Sequence, residues 1–200
     1  MRELIIATGN KGKMEEFRTL LSGIPVKLTS LHDHWNPVPQ IEETGSTFYE
    51  NAKIKADWVY ENSGGVWALA DDSGLEVDAL GGAPGVLSAR YSGENATGTQ
   101  NNQKLLTALS GVPMELRTAR FKCVLVARVG KDDYLSAEGT IEGVITTSAA
   151  GWGGFGYDPL FIPSGHDRTF AELVPEEKNR ISHRGVALRA LGRELYGILV

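Results

Sequence analysis

Two adjacent carboxylates, Asp71 and Asp72, stand directly after an apolar run in "VWALADDSG", with Ser73 next. A carboxylate at a strand end can hold a hard cation such as Mg2+ or accept a proton from water. Strand ends in α/β sheets are where ligands gather, and Ser73 offers a hydroxyl to a phosphate. Neighbouring strand residues point to opposite faces, so Asp71 and Asp72 are expected to face one core only if the chain turns between them. Asp-Ser-Gly is itself good turn chemistry. Glu42 and Glu43 in "IEETGSTF" are further carboxylates, although an acid ahead of a helix also serves as a dipole partner. On the helix that follows, Lys53 and Lys55 are two apart and do not share a face. At most one of them is expected to point at an anion.

A second group of residues lies in "LIIATGNKGKMEEF", from Leu4 to Phe17. Thr8, Gly9, Asn10, Lys11, Gly12 and Lys13 form a Gly turn between an apolar run and a helix. A Walker loop needs four residues between its glycines and a Ser or Thr after the lysine. Here only two residues separate Gly9 from Gly12, and Met14 follows Lys13, so a P-loop NTPase is a poor reading. Lysines are disfavoured at the positive end of a helix dipole, whereas free N–H groups there attract anions. A bound polyanion accounts for both; the plain alternative is a solvated turn.

The third group is "GGFGYDP", which holds Phe155, Gly156, Tyr157 and Asp158. Glycine permits close approach and an aromatic ring offers a stacking face for a base. Asp158, ahead of Pro159, is expected to be extended and able to accept from base N–H groups. The alternative is a tight turn with core aromatics. "EEKNRISHRG" adds Lys178, His183 and Arg184, donors suited to purine acceptors or else a solvated basic patch. The "HDH" of His32–His34 lacks further ligands at metal-site spacing. Cys123 lies inside an apolar strand pattern and reads as buried and inert.

The elements that must position these groups follow from periodicity. Leu4–Ala7 and Val26–Leu31 read as strands. Met14–Leu21 reads as a helix with Met14, Phe17, Leu20 and Leu21 on one face and Glu15, Glu16 and Arg18 on the other. "HDHWNPVPQIEETG" reads as a loop. Thr47 and Glu50 have capping-box spacing for the next helix, which Gly64-Gly65 end. A helix over Asn101–Leu109, a meander from "RFKCVLVARVG" to "YLSAEGTIEGVIT" and a last amphipathic helix complete an α/β chain with a mixed sheet. No linker separates independent domains, so residues 1–200 read as one domain. With 200 residues the chain can bury a sizeable core. A net charge of −5 argues against coating a nucleic-acid polymer. One cysteine excludes an internal disulfide and favours a reducing, cytoplasmic setting. No stretch approaches the roughly 20 apolar residues of a membrane helix.

Phosphate-binding lysines, a metal-capable carboxylate site and an aromatic, basic pocket together describe a nucleotide site with a hydrolytic centre. Six segments in order, "TGNKGK", "ETGSTFYENAKIKA", "ADDSGLEVDALGGAPGVLSARYSG", "RFKCVL", "GGFGYDPLF" and "EEKNRISHRGVAL", make the chain resemble the inosine/xanthosine triphosphate pyrophosphatases, the non-canonical purine NTP pyrophosphatase family. The resemblance implies Mg2+-dependent cleavage of ITP, dITP and XTP between the α and β phosphates, cleansing the nucleotide pool. It implies an elongated mixed sheet with flanking helices, two lobes around a central nucleotide-binding cleft, and a homodimer. On matching residues, Thr8–Lys13 wrap the triphosphate, Asp72 is proton acceptor and metal-linked carboxylate, and Ser73 touches the substrate. Glu43 is a second metal ligand, Phe155–Asp158 form one wall of the base pocket, and Lys178, His183 and Arg184 complete it. Rivals are a septum-inhibitor-type pyrophosphatase acting on pyrimidine nucleotides and a non-catalytic nucleotide-binding regulator.

Overall fold

A computed structural model describes residues 1–200. Six strands form one mixed sheet in the order β2-β1-β3-β4-β5-β6. They are β1 (Arg2–Ile6), β2 (Val26–Ser30), β3 (Trp67–Val77), β4 (Thr118–Arg128), β5 (Tyr134–Ile145) and β6 (Phe161–Pro163). β1 pairs parallel to β2 and to β3, and β5 pairs antiparallel to β6. The helices are α1 (Lys11–Leu20), α2 (Leu31–His34), α3 (Phe48–Asn62), α4 (Gly98–Ala108), α5 (Pro175–Ile181) and α6 (His183–Leu199). None is long and apolar enough to cross a membrane.

The chain divides into two compact units. The first comprises Met1–Asp72, Cys123–Gly139 and Arg184–Val200; the second comprises Ser73–Lys122 and Thr140–His183. In the first, strand alternation sets the layers. Leu4 and Ile6 of β1, Trp67 and Leu69 of β3, and Cys123, Leu125 and Ala127 of β4 pack with Met14 and Phe17 of α1 and with Leu188 and Leu191 of α6. Ile5, Ala68 and Ala70 have the opposite parity and are buried on the other face. In the second unit, Leu75, Val77, Phe121 and Ile145 share a core with Leu105 of α4, with Leu109 just past its end, and with Phe161 and Phe170. Phe121 meets Phe161 edge-on at 4.7 Å between ring centroids.

Several expected boundaries move, each for a local reason. α1 begins at Lys11 rather than Met14, because Asn10 caps it by accepting the Lys13 N–H at 3.1 Å. α4 begins at Gly98 rather than Asn101, where Thr97 and Gln100 form a capping box. The expected loop at "HDH" is the short helix α2, held by Ser30 N–H donating to Asp33 Oδ2 at 2.7 Å. The first six residues of the basic segment "EEKNRISHRG" lie in the helix α5, with Pro175 in its first turn. The largest difference is at Asp71-Asp72-Ser73, where no turn forms and β3 runs straight through.

Candidate active site

Both carboxylates are buried although the strand does not turn: Asp71 is 2% and Asp72 6% exposed. Alternation resolves the apparent conflict. Asp71 shares its parity with Trp67 and Leu69 and meets the face covered by α1 and α6; Asp72 shares its parity with Ala68 and Ala70 and meets α3. Asp71 Oδ2 accepts from Arg184 Nε at 2.9 Å and from Cys123 Sγ at 3.1 Å, and its Oδ1 accepts from Lys13 Nζ. Arg184 Nη1 also donates to Glu16 Oε2 at 2.5 Å. Burial works against a charge on Asp71, but Arg184 and Lys13 outweigh it and hold the carboxyl well below the usual range. Glu16, expected on the polar face of α1, is instead buried, because Arg184 supplies an internal partner. Cys123 is buried as expected.

On the other face, Lys55 Nζ donates to Glu43 Oε1 at 2.5 Å and to the Asp71 carbonyl at 2.8 Å, and lies 3.5 Å from Asp72 Oδ1. Burial raises the Asp72 pKa and the nearby Glu43 charge adds to the rise, against the pull of Lys55 and Lys13. Although Asn51 lies close enough to favour the charged form of Asp72, neither Asn51 Nδ2 nor Asp72 Oδ2 has a partner meeting hydrogen-bond geometry. Of the two lysines on α3, Lys55 faces this centre, while Lys53 donates to Asp57 Oδ2 at 2.5 Å and to the Tyr134 hydroxyl at 3.3 Å. Lys55 lies within the second of the six matching segments, but the sequence does not say which of Lys53 and Lys55 turns inward. Asn51 and Lys55 are four apart and so on one helix face, which is the signal that joins them.

The Thr8–Lys13 segment leads from β1 into the first turn of α1. Thr8 Oγ1 accepts the Asn10 N–H at 3.1 Å, which shapes the turn. Asn10 takes one of the first-turn N–H groups; the others at a helix start have no intrahelical acceptor. Lys11 is exposed, whereas the Lys13 side chain is only 18% exposed and paired to Asp71. The two lysines are therefore not equivalent: Lys13 is built into the structure and Lys11 is presented to solvent.

In the second unit, Asp158 is not extended. It opens a 3-10 turn over Asp158–Leu160, and its Oδ2 accepts from Phe155 N–H at 2.8 Å and from Lys178 Nζ at 2.7 Å. These bonds outweigh the preference that Pro159 imposes on its predecessor. Gly154 has φ +72°, and a side chain there would run into the Asp158 carboxylate, so glycine is required on both counts. The Lys178 ammonium lies 4.6 Å from the Phe155 ring centroid, and that ring is half-buried. Tyr157 is buried, donating its hydroxyl to the Ser88 carbonyl at 2.9 Å, and the Gly156 carbonyl accepts from Asn102 Nδ2 at 3.0 Å. His183, at the start of α6, is 4% exposed and stacks on Phe121 with centroids 4.8 Å apart. Ser73 is half-buried. The structure thus gathers Phe155, Asp158 and Lys178 into one cluster, seats His183 on Phe121 of the "RFKCVL" segment, a pairing that the sequence does not indicate, and pairs Arg184 with Asp71 and Glu16.

No group of three or more His, Cys, Asp or Glu side chains is assembled as a metal site. Mg2+, however, is commonly held by one or two carboxylates together with substrate phosphates. Asp72, with a buried Oδ2 lacking a partner, and the adjacent Glu43 fit that requirement.

Comparison with known proteins gives a consistent result. The model of the Ham1 family matches residues 4–194. The dITP/XTP pyrophosphatase of Geobacter sulfurreducens is 52% identical, over 96% of this chain and 95% of that one. The dITP/XTP pyrophosphatase of Bacillus licheniformis is 49% identical, over 96% of each. Among solved structures, a HAM1 protein from Coxiella burnetii superimposes with a TM-score of 0.87 at 45% identity, covering 98% of both chains. A nucleoside-triphosphatase / dITP/XTP pyrophosphatase from Mycobacterium abscessus does so at 0.75 and 42% identity, covering 94% of this chain and 98% of that one.

Proposed function

The chain belongs to the Ham1 family, and from that membership we propose that it is a nucleoside triphosphate pyrophosphatase acting on ITP, dITP and XTP. The products are the nucleoside monophosphate and pyrophosphate, with the α–β phosphoanhydride cleaved. The observation behind this reading is the Asp72 centre. A buried carboxylate with a raised pKa and an unpartnered oxygen stands beside Glu43 and Lys55, in the same unit as a capped helix start carrying Lys13. Phosphoryl transfer asks mainly for positioning and charge stabilisation, and these residues supply both.

Lys13 and the free N–H groups at the start of α1 receive the triphosphate, with Lys11 adding charge from solvent and Ser73 a hydroxyl. Asp72 orients the attacking water and takes its proton; a raised pKa makes it a stronger base near neutrality. Asp72 and Glu43 would hold Mg2+, which when bound offsets charge on the phosphates. For the base, Phe155 offers its ring face and Asp158 fixes both the Phe155 backbone and Lys178. Tyr157 and Gly156 tie the loop down. The family resemblance assigns Lys178, His183 and Arg184 to the 6-oxo group of the base, although Arg184 is itself buried against Asp71 and Glu16. Adenine carries an amino donor at that position, which leaves buried donors unpaired; sites built this way discriminate by about 10⁴-fold or more. The family resemblance also implies a homodimer, and the single cysteine, Cys123, fits a reducing, cytoplasmic compartment.

A steady-state panel reading pyrophosphate release, with and without Mg2+, tests this. ITP and XTP are expected to be cleaved at least about 10²-fold faster than ATP in kcat/KM, only with Mg2+ present. Fast dUTP or TTP cleavage without ITP cleavage would transfer the chain to a pyrimidine-type activity. Lys13→Ala is expected to raise KM for ITP about tenfold, the loss of a charge-assisted phosphate contact. An unchanged KM would remove Lys13 from the triphosphate grip.

A further inference from the structure

We propose that Asp71 is a positioning residue that aims Lys13 at the triphosphate, acting through the lysine and never touching the substrate itself. The proposal rests on the reading of Lys13 as a phosphate ligand. Its basis is the way the Asp71 carboxylate is divided. Oδ2 is taken by two donors on elements distant in sequence, Arg184 Nε at 2.9 Å and Cys123 Sγ at 3.1 Å. This pins the carboxylate plane and presents Oδ1 to Lys13. Arg184 is in turn fixed by Glu16 at 2.5 Å. A chain of alternating charge therefore runs Glu16, Arg184, Asp71, Lys13, and it sums to zero.

An ammonium has three N–H donors. One is given to Asp71, which leaves two for phosphate oxygens, with the long side chain already ordered. A free lysine would surrender its rotamer freedom on binding substrate; here that loss has been met in folding. Asp71 also carries a negative charge near the phosphates, which by itself would weaken binding. The two effects have opposite signs, so KM reports which prevails. If Asp71 positions Lys13, Asp71→Asn weakens binding; if its repulsion dominates, Asp71→Asn tightens binding.

The test is a double-mutant cycle on ITP hydrolysis with Mg2+, using wild type, Asp71→Asn, Lys13→Ala and the double variant. Asp71→Asn is expected to raise KM about tenfold, with a smaller change in kcat, the scale of the rotamer freedom a lysine loses when fixed. In the Lys13→Ala background it is expected to add nothing to KM. A merely structural role would impose the same KM change in both backgrounds. Additive effects, or a KM at or below wild type in Asp71→Asn, would overturn the proposal. Because Asp71→Asn leaves a buried guanidinium short of one partner, a second measurement uses the unaltered protein. In 15N- and 13C-labelled wild type, a scalar coupling is expected from Lys13 Nζ to the Asp71 carboxylate carbon, and its absence would also overturn the proposal. A wild type that releases no pyrophosphate from ITP would instead defeat the substrate reading, an outcome distinct from additivity in an active enzyme.

Discussion

Asp72→Asn is expected to lower kcat for ITP by about 10²- to 10⁴-fold, the usual contribution of a positioned acid or base, while leaving ITP binding largely intact. Asparagine keeps the shape of the side chain and a carbonyl acceptor, so the packing of α3 against β3 is retained. What is lost is the negative charge and the basic lone pair. Binding survives because Lys13 is held by Asp71, on the opposite face of the strand, although its charge also reaches Asp72. The position is also electrostatically suited to the loss of a charge. Burial already opposes ionisation of Asp72, so a neutral amide there is no burden on the fold. Lys55 retains Glu43 as partner at 2.5 Å. Pyrophosphate release at saturating ITP gives kcat, and calorimetric titration with ITP gives affinity. A wild-type kcat in this variant would remove Asp72 from the chemistry. Loss of binding with an unchanged kcat would make it a ligand for substrate or metal only.

Features set by near neighbours along the chain are legible in the amino-acid sequence itself. Thr47 and Glu50 announce the start of α3 because a capping box is closed within four residues. The apolar run ahead of Thr8 announces β1 in the same way. The straight course of β3 through Asp71 and Asp72 is not legible. Asp-Ser-Gly favours a turn locally, and only remote partners overrule it: Arg184, 113 residues away, for Asp71, and Lys55, 17 residues away, for Asp72. Glu16 is misplaced on the polar face of α1 for the same reason, since periodicity carries no information about an arginine on α6. Asp158 shows the limit at shorter range. The Asp-Pro step predicts an extended residue, but hydrogen bonds from Phe155 and Lys178 draw the chain into a 3-10 turn. At the candidate site, residue types are readable in the order of the six segments. Their pairing is not. Nothing in "SHR" indicates that His183 stacks on Phe121 while Arg184 joins Asp71 and Glu16.

Arg184→Met is expected to destabilise the fold by about 3–5 kcal/mol, the cost of breaking a buried ion pair by removing one partner. At about 2–4 °C per kcal/mol for a chain of this size, Tm falls by roughly 6–20 °C. The loss belongs at the upper end of single substitutions because two carboxylates are deprived of the guanidinium at once. Asp71 is 2% and Glu16 8% exposed, and methionine fills much of the volume while donating nothing. Thermal unfolding without nucleotide keeps this separate from any role of Arg184 at the base. A Tm within about 2 °C of wild type, less than 1 kcal/mol on the same scale, would show the carboxylates find other partners. The pH dependence has a defined sign. In wild type, Asp71 titrates well below its usual range in the folded state. Its contribution is complete above the unfolded value of about 3.9 and is lost as pH falls through the lower folded value. Without the guanidinium, burial is less opposed, so the folded variant binds protons at higher pH than folded wild type. The gap in stability therefore widens as pH rises and narrows on acidification, where protonation removes the poorly compensated charges. A gap that is constant from about pH 4 to 8 would place the lost stability in packing and not in the charges of Asp71 and Glu16.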